Sequence, residues 1–149
     1  MTNRLTTPRP IIGWREWAIL ESLSPTPTKA KIDTGARTSS LHAFDLRIHK
    51  SGGQATASFV VHPVQRSAAE AQRVEVPVTG FRDVRSSSGH SERRPVIRTP
   101  ITLGDQTFDI DITLTSRDEM GFRMLLGRAA IRRRFLVDSG RSFTLGAKP

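Results

Sequence analysis

The stretch KIDTGARTSSLHA, residues 31–43, carries the most specific pattern in this sequence. Residues Ala30–Asp33 predict a short strand that delivers Asp33 onto a turn of small residues, Thr34-Gly35-Ala36. Because these residues leave little bulk around the carboxylate, the turn exposes Asp33. Asp-Thr-Gly also occurs in ordinary turns, in which Asp caps the backbone and Gly takes a positive φ. Residues elsewhere in the chain are therefore needed to distinguish a reactive acid from a turn-forming one.

A second apolar element lies near the C-terminus. Met124-Leu125-Leu126 predicts a buried strand, Gly127 follows it, and Arg128–Phe135 predicts a short helix. Roughly midway between Asp33 and Gly127, the run Ser86–Gly89 is flanked by β-type residues and predicts the tip of a hairpin. The order along the chain is thus acid turn, hairpin, apolar strand and helix.

The remaining pattern predicts an all-β protein with one short helix. Short β-type stretches are separated by turn signals such as Gly52-Gly53 and Gly104-Asp105. The alanine-rich stretch Gln65–Arg73 follows Pro63 and is interpreted as a surface loop, with a helix as the alternative. Further strands are predicted at Trp17–Leu20, Leu41–His49, Ala57–His62, Val74–Val78, Val96–Leu103, Phe108–Leu114, Phe135–Val137 and Ser142–Leu145.

Composition narrows the class of protein. The 149 residues include no Cys, which excludes a disulfide framework, a cysteine zinc site and a thiol nucleophile, and a reducing compartment, by default the cytoplasm, is expected. Residues Met1–Gly13 lack the apolar core of a signal peptide, and no run approaches the roughly 18 apolar residues of a membrane helix. The length predicts a single domain over residues 1–149.

The chain is strongly basic along its whole length. It has 23 Lys and Arg against 14 Asp and Glu, a formal charge of +9, and nearly all of its cations are arginines. Such a surface attracts nucleic acid, an anionic membrane or an acidic peptide, and composition alone does not choose among them. The run Arg132–Arg134 is interpreted as a solvated helix face, with a phosphate or dimer contact as the alternative.

Together, the Asp-Thr-Gly-Ala turn, the Leu-Leu-Gly-Arg element and the hairpin between them resemble the retropepsin-like aspartic proteases. The flanking sequences also resemble a bacterial group that bears the name ATP-dependent zinc protease and includes the glutamate-ligase-associated, RimB-like poly-α-glutamate proteases. These flanks are IGWREW (12–17), KAKIDTGARTSSLHA (29–43), RSSSGHSERRPVI (85–97) and RDEMGFRMLLGR (117–128). The resemblance implies a small closed β-barrel with a flap hairpin. It also implies a two-fold homodimer in which the N- and C-terminal strands pair between subunits.

The resemblance further implies that each subunit contributes one catalytic acid, Asp33. Peptide hydrolysis by this route needs two carboxylates that share a proton. In the family, the residue at Thr34 bonds across the two-fold axis and the amide at Gly35 supports the carboxylate. The implied protein is a cofactor-free aspartic endopeptidase that cleaves α-linked glutamate chains or glutamate-extended ribosomal protein tails and is linked functionally to an ATP-grasp glutamate ligase. No membrane or specific nucleic-acid partner is expected.

Matched to the same family, residues of three segments would contact the substrate. Lys31, Ala36 and Arg37 belong to the acid turn and its flanks, and Arg123 and Leu125 would line a pocket wall. Because these pockets would present cations, an acidic substrate is predicted, in agreement with the net charge. The flap region adds Arg85, Ser87, Gly89, His90, Arg93 and Arg94.

Three alternatives remain open from the sequence. Asp138-Ser139-Gly140 is a rival second acid, but only 11 residues, 139 to 149, follow Asp138, so it is interpreted as structural. A non-catalytic basic module for acidic protein tails or RNA is the second alternative, although the absence of Tyr leaves little aromatic surface for base stacking. A metal-dependent hydrolase is the third. No metal site is predicted, because the sequence has no His-Glu-x-x-His helix and its four histidines match no metal-ligand spacing. It also has no phosphate loop for ATP.

Overall fold

The computed structural model describes residues 8–85, 88–116 and 121–149, which form eleven strands and one short helix. Parts of three sequence predictions lie outside the described residues: positions 1–7 of the N-terminal stretch, Ser86 and Ser87 of the hairpin tip, and positions 117–120 of the C-terminal motif. The strands are β1 Ile11–Ile12, β2 Arg15–Ala18, β3 Thr28–Ile32, β4 Ser39–Ser51, β5 Gln54–Val61, β6 Gln72–Val78, β7 Gly80–Arg85, β8 Ser91–Leu103, β9 Gln106–Thr115, β10 Met124–Leu126 and β11 Leu136–Val137. The helix, α1, is Arg128–Ile131.

Nine of the strands form one branched sheet. Its main path is β2-β3-β10-β4-β9-β8-β7, and β5 and β6 extend a branch from β4. The first residues of β4 pair with β9 and β10, and from Ala43 onward the strand pairs with β5. The register of this second pairing shifts between Phe44 and Arg47, where Asp45 has φ 49°. The closed barrel is therefore wrong. An isolated bridge joins Ile19 to Thr102, but within the described residues no ladder joins the edge strands β2 and β7.

The two terminal strands pair inside one chain. Strands β1 and β11 form a parallel ribbon in which Ile11 lies opposite Leu136 and Ile12 lies opposite Val137. The amide of Leu136 donates to the Pro10 carbonyl at 3.0 Å. The pairing continues past Val137, where the Asp138 amide donates to the Ile12 carbonyl at 2.8 Å. Each of the two segments thus has a backbone partner within the same molecule, and their pairing between subunits stays a prediction.

The centre of the sheet is the apolar strand β10, which is buried and paired on both sides. Strand β10 lies between β3, to which it is parallel, and β4, to which it is antiparallel, and all three of its side chains are buried. Burial of a side chain such as Leu126 or Met124 contributes about 2 kcal/mol to stability. The acid turn follows β3 directly, so Asp33 extends from one of the best-anchored parts of the molecule.

Other local predictions are confirmed or corrected. Residues 65–71 form the predicted loop, and β6 begins at Gln72. The helix ends at Ile131 rather than Phe135, because Arg133 has φ 68°, a left-handed conformation that terminates a helix. Ser142–Leu145 is not a strand but contains a turn, with Phe143 at φ 53°. Among the described residues no helix is long and apolar enough to cross a membrane, since α1 has only four residues.

Candidate active site

Hydrogen bonds from backbone amides position the turn that carries Asp33, and one of them holds its carboxylate. The Asp33 amide donates to the Leu126 carbonyl at 2.8 Å, which continues the pairing of β3 with β10 beyond Ile32. The Gly35 amide donates to Asp33 Oδ1 at 3.0 Å, and the Ala36 amide donates to the Asp33 carbonyl at 3.3 Å. A side chain at Gly35 would place its Cβ 3.2 Å from Asp33 Oδ1, so glycine keeps this approach open.

The segment after Asp33 is held by residues from the far end of the sequence. The amides of Arg128 and Ala129 donate to the carbonyls of Ala36 and Arg37 at 2.8 and 3.0 Å. Arg128 Nη1 also donates to the Thr34 carbonyl at 2.8 Å. Gly127 packs directly against this segment: a Cβ built there would lie 2.7 Å from the Thr38 carbonyl carbon. The apolar strand, glycine and helix start therefore act together as a brace for the acid turn.

A cleft of about 1020 Å³ opens over Asp33. One wall is formed by the acid turn and the segment after it, and another by strand β7 of the β7–β8 hairpin. The antiparallel hairpin confirms the prediction that β-type residues flank the Ser86–Gly89 run. The lining residues are Asp33, Gly35, Ala36, Arg37, Thr38, Ser40, Arg82, Asp83, Val84, Arg85, Arg94, Thr113 and Leu125.

The cleft is cationic. Four arginines and two aspartates line it, and the arginines come from both walls. Arg94 is only 2% exposed, and its Nε lies 3.2 Å from Glu92 Oε2, so this cation is held in place. Arg82 Nη1 donates to the Thr38 hydroxyl and thereby joins strand β7 to the segment that follows Asp33. Within a partly enclosed cleft such charges act more strongly than on an open surface.

About half of the residues proposed from sequence line this cleft, and the rest do not. Thr34 is exposed on the turn, Lys31 lies on β3, and Ser87 is outside the described residues. Gly89 and His90 are exposed beyond the cleft, and the Arg93 guanidinium lies 5.0 Å from the Phe81 ring centroid. The residues that do line the cleft are Asp33, Gly35, Ala36, Arg37, Arg85, Arg94 and Leu125.

Arg123 belongs to a different cluster, which corrects its place on the pocket wall. Its guanidinium lies 4.9 Å from the Phe44 ring centroid, and its Nη2 donates to the Ser67 carbonyl at 3.4 Å. The Phe44 ring also stacks on His62 at 3.6 Å. These four residues are absent from the cleft lining. Arg123 precedes β10, and the bend at this position turns it away from the face that Leu125 presents.

The same cluster predicts a pH dependence of stability. Burial, and secondarily the charge of Arg123, lower the pKa of His62 below its ordinary value of 6.5. The folded state therefore binds this proton more weakly than the unfolded state. The contribution of His62 to stability is therefore complete above its ordinary pKa of 6.5 and is lost as the pH falls through that value towards the lowered pKa. We expect the melting temperature of His62→Gln to fall less than that of the wild type when the pH is lowered to about 5. Circular dichroism melts test this, with exposed His49→Gln as the control, and equal losses in wild type and His62→Gln would contradict it.

Sequence reasoning missed several lining residues. Arg82, Asp83 and Val84 belong to β7, and Thr113 comes from β9. The register of the hairpin, with Arg85 opposite Ser91, places Arg82 opposite Arg94. Counting back from the predicted tip, Ser86–Gly89, would pair Arg82 with Arg93 instead, so this register had to come from the structure. In the ranges 8–85, 88–116 and 121–149, no group of three or more His, Asp or Glu side chains is arranged to hold a metal ion.

The sequence matches a known family over almost its whole length. The family model described as "RimB-like: Retropepsin-like aspartic endopeptidase RimB" matches residues 11–148. The chain belongs to the RimB-like family. The resemblance to retropepsin-like aspartic proteases of the RimB-like group is thereby confirmed, and the matched region contains both the Asp33 turn and the brace formed by Gly127 and α1.

Relatives of this RimB-like chain include longer proteins with a different name. It is 46% identical over 138 residues to a "Probable alpha-L-glutamate ligase" of Shewanella pealeana, which covers 93% of this chain. It is 43% identical over 136 residues to the protein of the same name from Desulfotalea psychrophila, which covers 91% of it. The chain spans about 30% of the length of these relatives.

A solved structure shares the RimB-like fold. The crystal structure of a Legionella pneumophila protein of unknown function is 31% identical, with a TM-score of 0.71 over 91% of this chain and 98% of that one. The shared architecture therefore extends across nearly all of both chains.

Proposed function

We propose that this protein is an aspartic endopeptidase in which Asp33 activates the attacking water. The observation that carries the proposal is the Asp33 carboxylate, held by the Gly35 amide on a turn braced at Gly127, in the lining of a cleft of about 1020 Å³. Membership of the RimB-like family supports the reaction class.

The reaction requires a second carboxylate, and we propose that a second copy of this chain supplies it. One ionised carboxylate accepts a proton from water as the oxygen attacks the peptide carbonyl, and the other, protonated, donates to the carbonyl oxygen. Collapse of the intermediate breaks the C–N bond and releases an acid and an amine. The exposed apolar side chains of Ile11, Leu136 and Val137 on the β1–β11 ribbon support a contact between copies, because solvent-exposed apolar clusters mark interfaces.

We propose an acidic substrate, specifically α-linked glutamate chains on a peptide or protein tail. Arg37, Arg82 and Arg85 line the cleft with their forked donors, which suit carboxylates. The name of the longer relatives, glutamate ligase, supports glutamate as the recognised unit and a functional link to that enzyme class.

The test is a cleavage assay that separates the open alternatives. Wild type and Asp33→Asn are incubated with poly-α-glutamate and with polylysine of equal length, with and without EDTA, and the products are identified by mass spectrometry. We expect EDTA-insensitive cutting of polyglutamate by the wild type alone. Tight binding of polyglutamate by both proteins without cutting would indicate the non-catalytic module, and loss of cutting in EDTA would indicate a metal-dependent hydrolase.

The contribution of a cleft arginine is tested by comparing two variants that have the same net charge. Arg37→Gln is expected to lower kcat/KM for a glutamate oligomer by about 10-fold or more, because it removes a charge-assisted contact worth about 1.5–3 kcal/mol. Arg132→Gln, at an exposed arginine outside this cleft, removes the same charge and is the matched control. An equal effect of both variants would show that only the overall charge matters.

A further inference from the structure

The Asp138-Ser139-Gly140 turn repeats the hydrogen bonding of the Asp33 turn. The Gly140 amide donates to Asp138 Oδ1 at 3.0 Å, the distance also found between Gly35 and Asp33 Oδ1. The amide of Arg141 donates to the Asp138 carbonyl at 3.1 Å, as Ala36 does to Asp33. The two turns thus have the same local construction, although Asp138 does not line the cleft.

Each acid turn is bonded to the end of a short apolar strand that is followed by a glycine. The Asp138 amide donates to the Ile12 carbonyl at 2.8 Å, just as Asp33 bonds to Leu126. Ile12 is followed by Gly13, where a Cβ would lie 2.1 Å from the Arg141 carbonyl oxygen, and Leu126 is followed by Gly127, where a Cβ would lie 2.7 Å from the Thr38 carbonyl carbon. The exchange is reciprocal: the N-terminal apolar strand and glycine hold the C-terminal acid turn, and the C-terminal pair holds the N-terminal turn.

Two hydrogen bonds lead from the Asp138 turn to Asp33. The amide of Trp14 donates to the Arg141 carbonyl at 2.8 Å, and the Trp14 carbonyl accepts from the Ile32 amide at 2.8 Å. Ile32 immediately precedes Asp33. The strand that delivers Asp33 is therefore held on one side by Leu126 and on the other by Trp14, whose own position depends on the Asp138 turn.

A buried carboxylate fixes the same junction. Glu16 is fully buried, and its oxygens accept from the amides of Gly13, Thr144 and Leu145 and from the Thr144 hydroxyl, at 2.6 to 3.2 Å. These bonds attach the segment after the Asp138 turn to the segment that carries Gly13 and Trp14. Because a buried carboxylate with several donors is costly to disturb, Glu16 keeps these two segments together.

We infer that Asp138 is a positioning residue for Asp33, acting through Arg141, Trp14 and Ile32. This inference rests on the proposed function, because the reaction requires Asp33 to be placed accurately, and misplacement by about 1 Å costs as much as 100-fold in rate. The role belongs to the acceptor oxygen of Asp138 rather than to its charge. Its ion pair with Arg141 is long, at 3.8 Å, and both side chains are about half exposed, so the pair contributes little.

The test compares Asp138→Ala, which removes the acceptor, with Asp138→Asn, which keeps an oxygen for the Gly140 amide. Asp109→Ala, at an exposed acid on β9, is the matched control. Amide hydrogen exchange is measured by NMR in all variants. We expect Asp138→Ala to accelerate exchange at Trp14 and Ile32 by about 10-fold, in line with the loss of the hydrogen bond that Gly140 donates to Asp138, and to leave Phe59 in β5 unchanged. The kcat for glutamate-oligomer cleavage is expected to fall about 10-fold with little change in KM, and Asp138→Asn is expected to restore both readouts.

The outcomes separate the inference from the proposed function. Unchanged exchange at Ile32 in Asp138→Ala overturns the inference, whether or not the protein cleaves peptides. Faster exchange with an unchanged kcat also overturns it, because the turn is then structural only. An inactive wild type overturns the proposed function, while the exchange data still decide whether the Asp138 turn controls the strand that carries Asp33. Should Asp138→Ala fail to fold, Asp138→Cys, whose thiol is only a weak hydrogen-bond acceptor, is measured in its place.

Discussion

Asp33→Asn is expected to lower the kcat for polyglutamate cleavage by about 10³- to 10⁴-fold, because an amide cannot accept the proton of the attacking water. The fold should be preserved, since the asparagine oxygen can still accept the hydrogen bond that Gly35 donates to Asp33 Oδ1 at 3.0 Å. The measurement is steady-state cleavage of a glutamate oligomer, together with a thermal melt of each protein. Retention of more than about a tenth of the wild-type kcat would contradict a catalytic Asp33.

Mixing the two proteins tests whether the reaction needs one Asp33 from each of two copies. If it does, and if subunits exchange freely, an equimolar mixture keeps about a quarter of the activity of the same total amount of wild type, whereas independent monomers keep about half. Asp83→Asn makes the same chemical change at the other aspartate of the cleft. Loss of activity in Asp83→Asn, combined with a half-active mixture, would point to a reaction centre within one chain.

Gly127→Ala is expected to destabilise the protein by about 3 kcal/mol, which lowers the melting temperature by about 10 °C. The added Cβ would lie 2.7 Å from the Thr38 carbonyl carbon and 2.9 Å from the Ala36 carbonyl oxygen. Both contacts are with backbone, which cannot rotate away as a side chain would. The backbone angles at Gly127, φ −89° and ψ 175°, are open to any residue, so the cost is purely steric.

Thermal and chemical denaturation measure this effect, and Gly80→Ala is the matched control. A Cβ at Gly80 meets nothing within 4 Å, so that variant should stay within about 0.5 kcal/mol of the wild type. Because Gly127 braces the segment after Asp33, its replacement should also reduce cleavage under conditions in which the variant is folded. Equal stability of Gly127→Ala and Gly80→Ala would mean that the acid turn is free to move away from β10.

The features that sequence predicted well are local ones. The small residues after Asp33, the apolar run before Gly127 and the β-type residues around the hairpin tip are visible as residue size and periodicity, and each is present in the structure. The helix was predicted four residues too long, because nothing in the composition of Arg132–Phe135 announces the left-handed Arg133.

Predictions failed where the answer depends on the register between distant strands. The closed barrel was wrong because β4 pairs with β9 and β10 over its first residues and with β5 from Ala43 onward, so that β5 and β6 form a separate branch of the sheet. Arg123 was matched to a pocket wall, together with Leu125, from the resemblance to the family, but it lies at a bend before β10 and contacts Phe44. Arg82 was missed because only the pairing of β7 with β8 brings it next to Arg94.

By itself, the sequence determined that this chain is a mostly β protein with an acid turn, an apolar strand ending in glycine, a hairpin between them and a strong excess of arginine. Only the tertiary structure decided which arginines line the cleft with Asp33, that β1 and β11 pair within one chain, and that the Asp138 turn is joined through Trp14 to Ile32, next to Asp33. The reason is physical: residue size and periodicity act over a few neighbouring positions, whereas these contacts join backbone groups up to about 130 residues apart, and their geometry follows from the packing of the whole sheet.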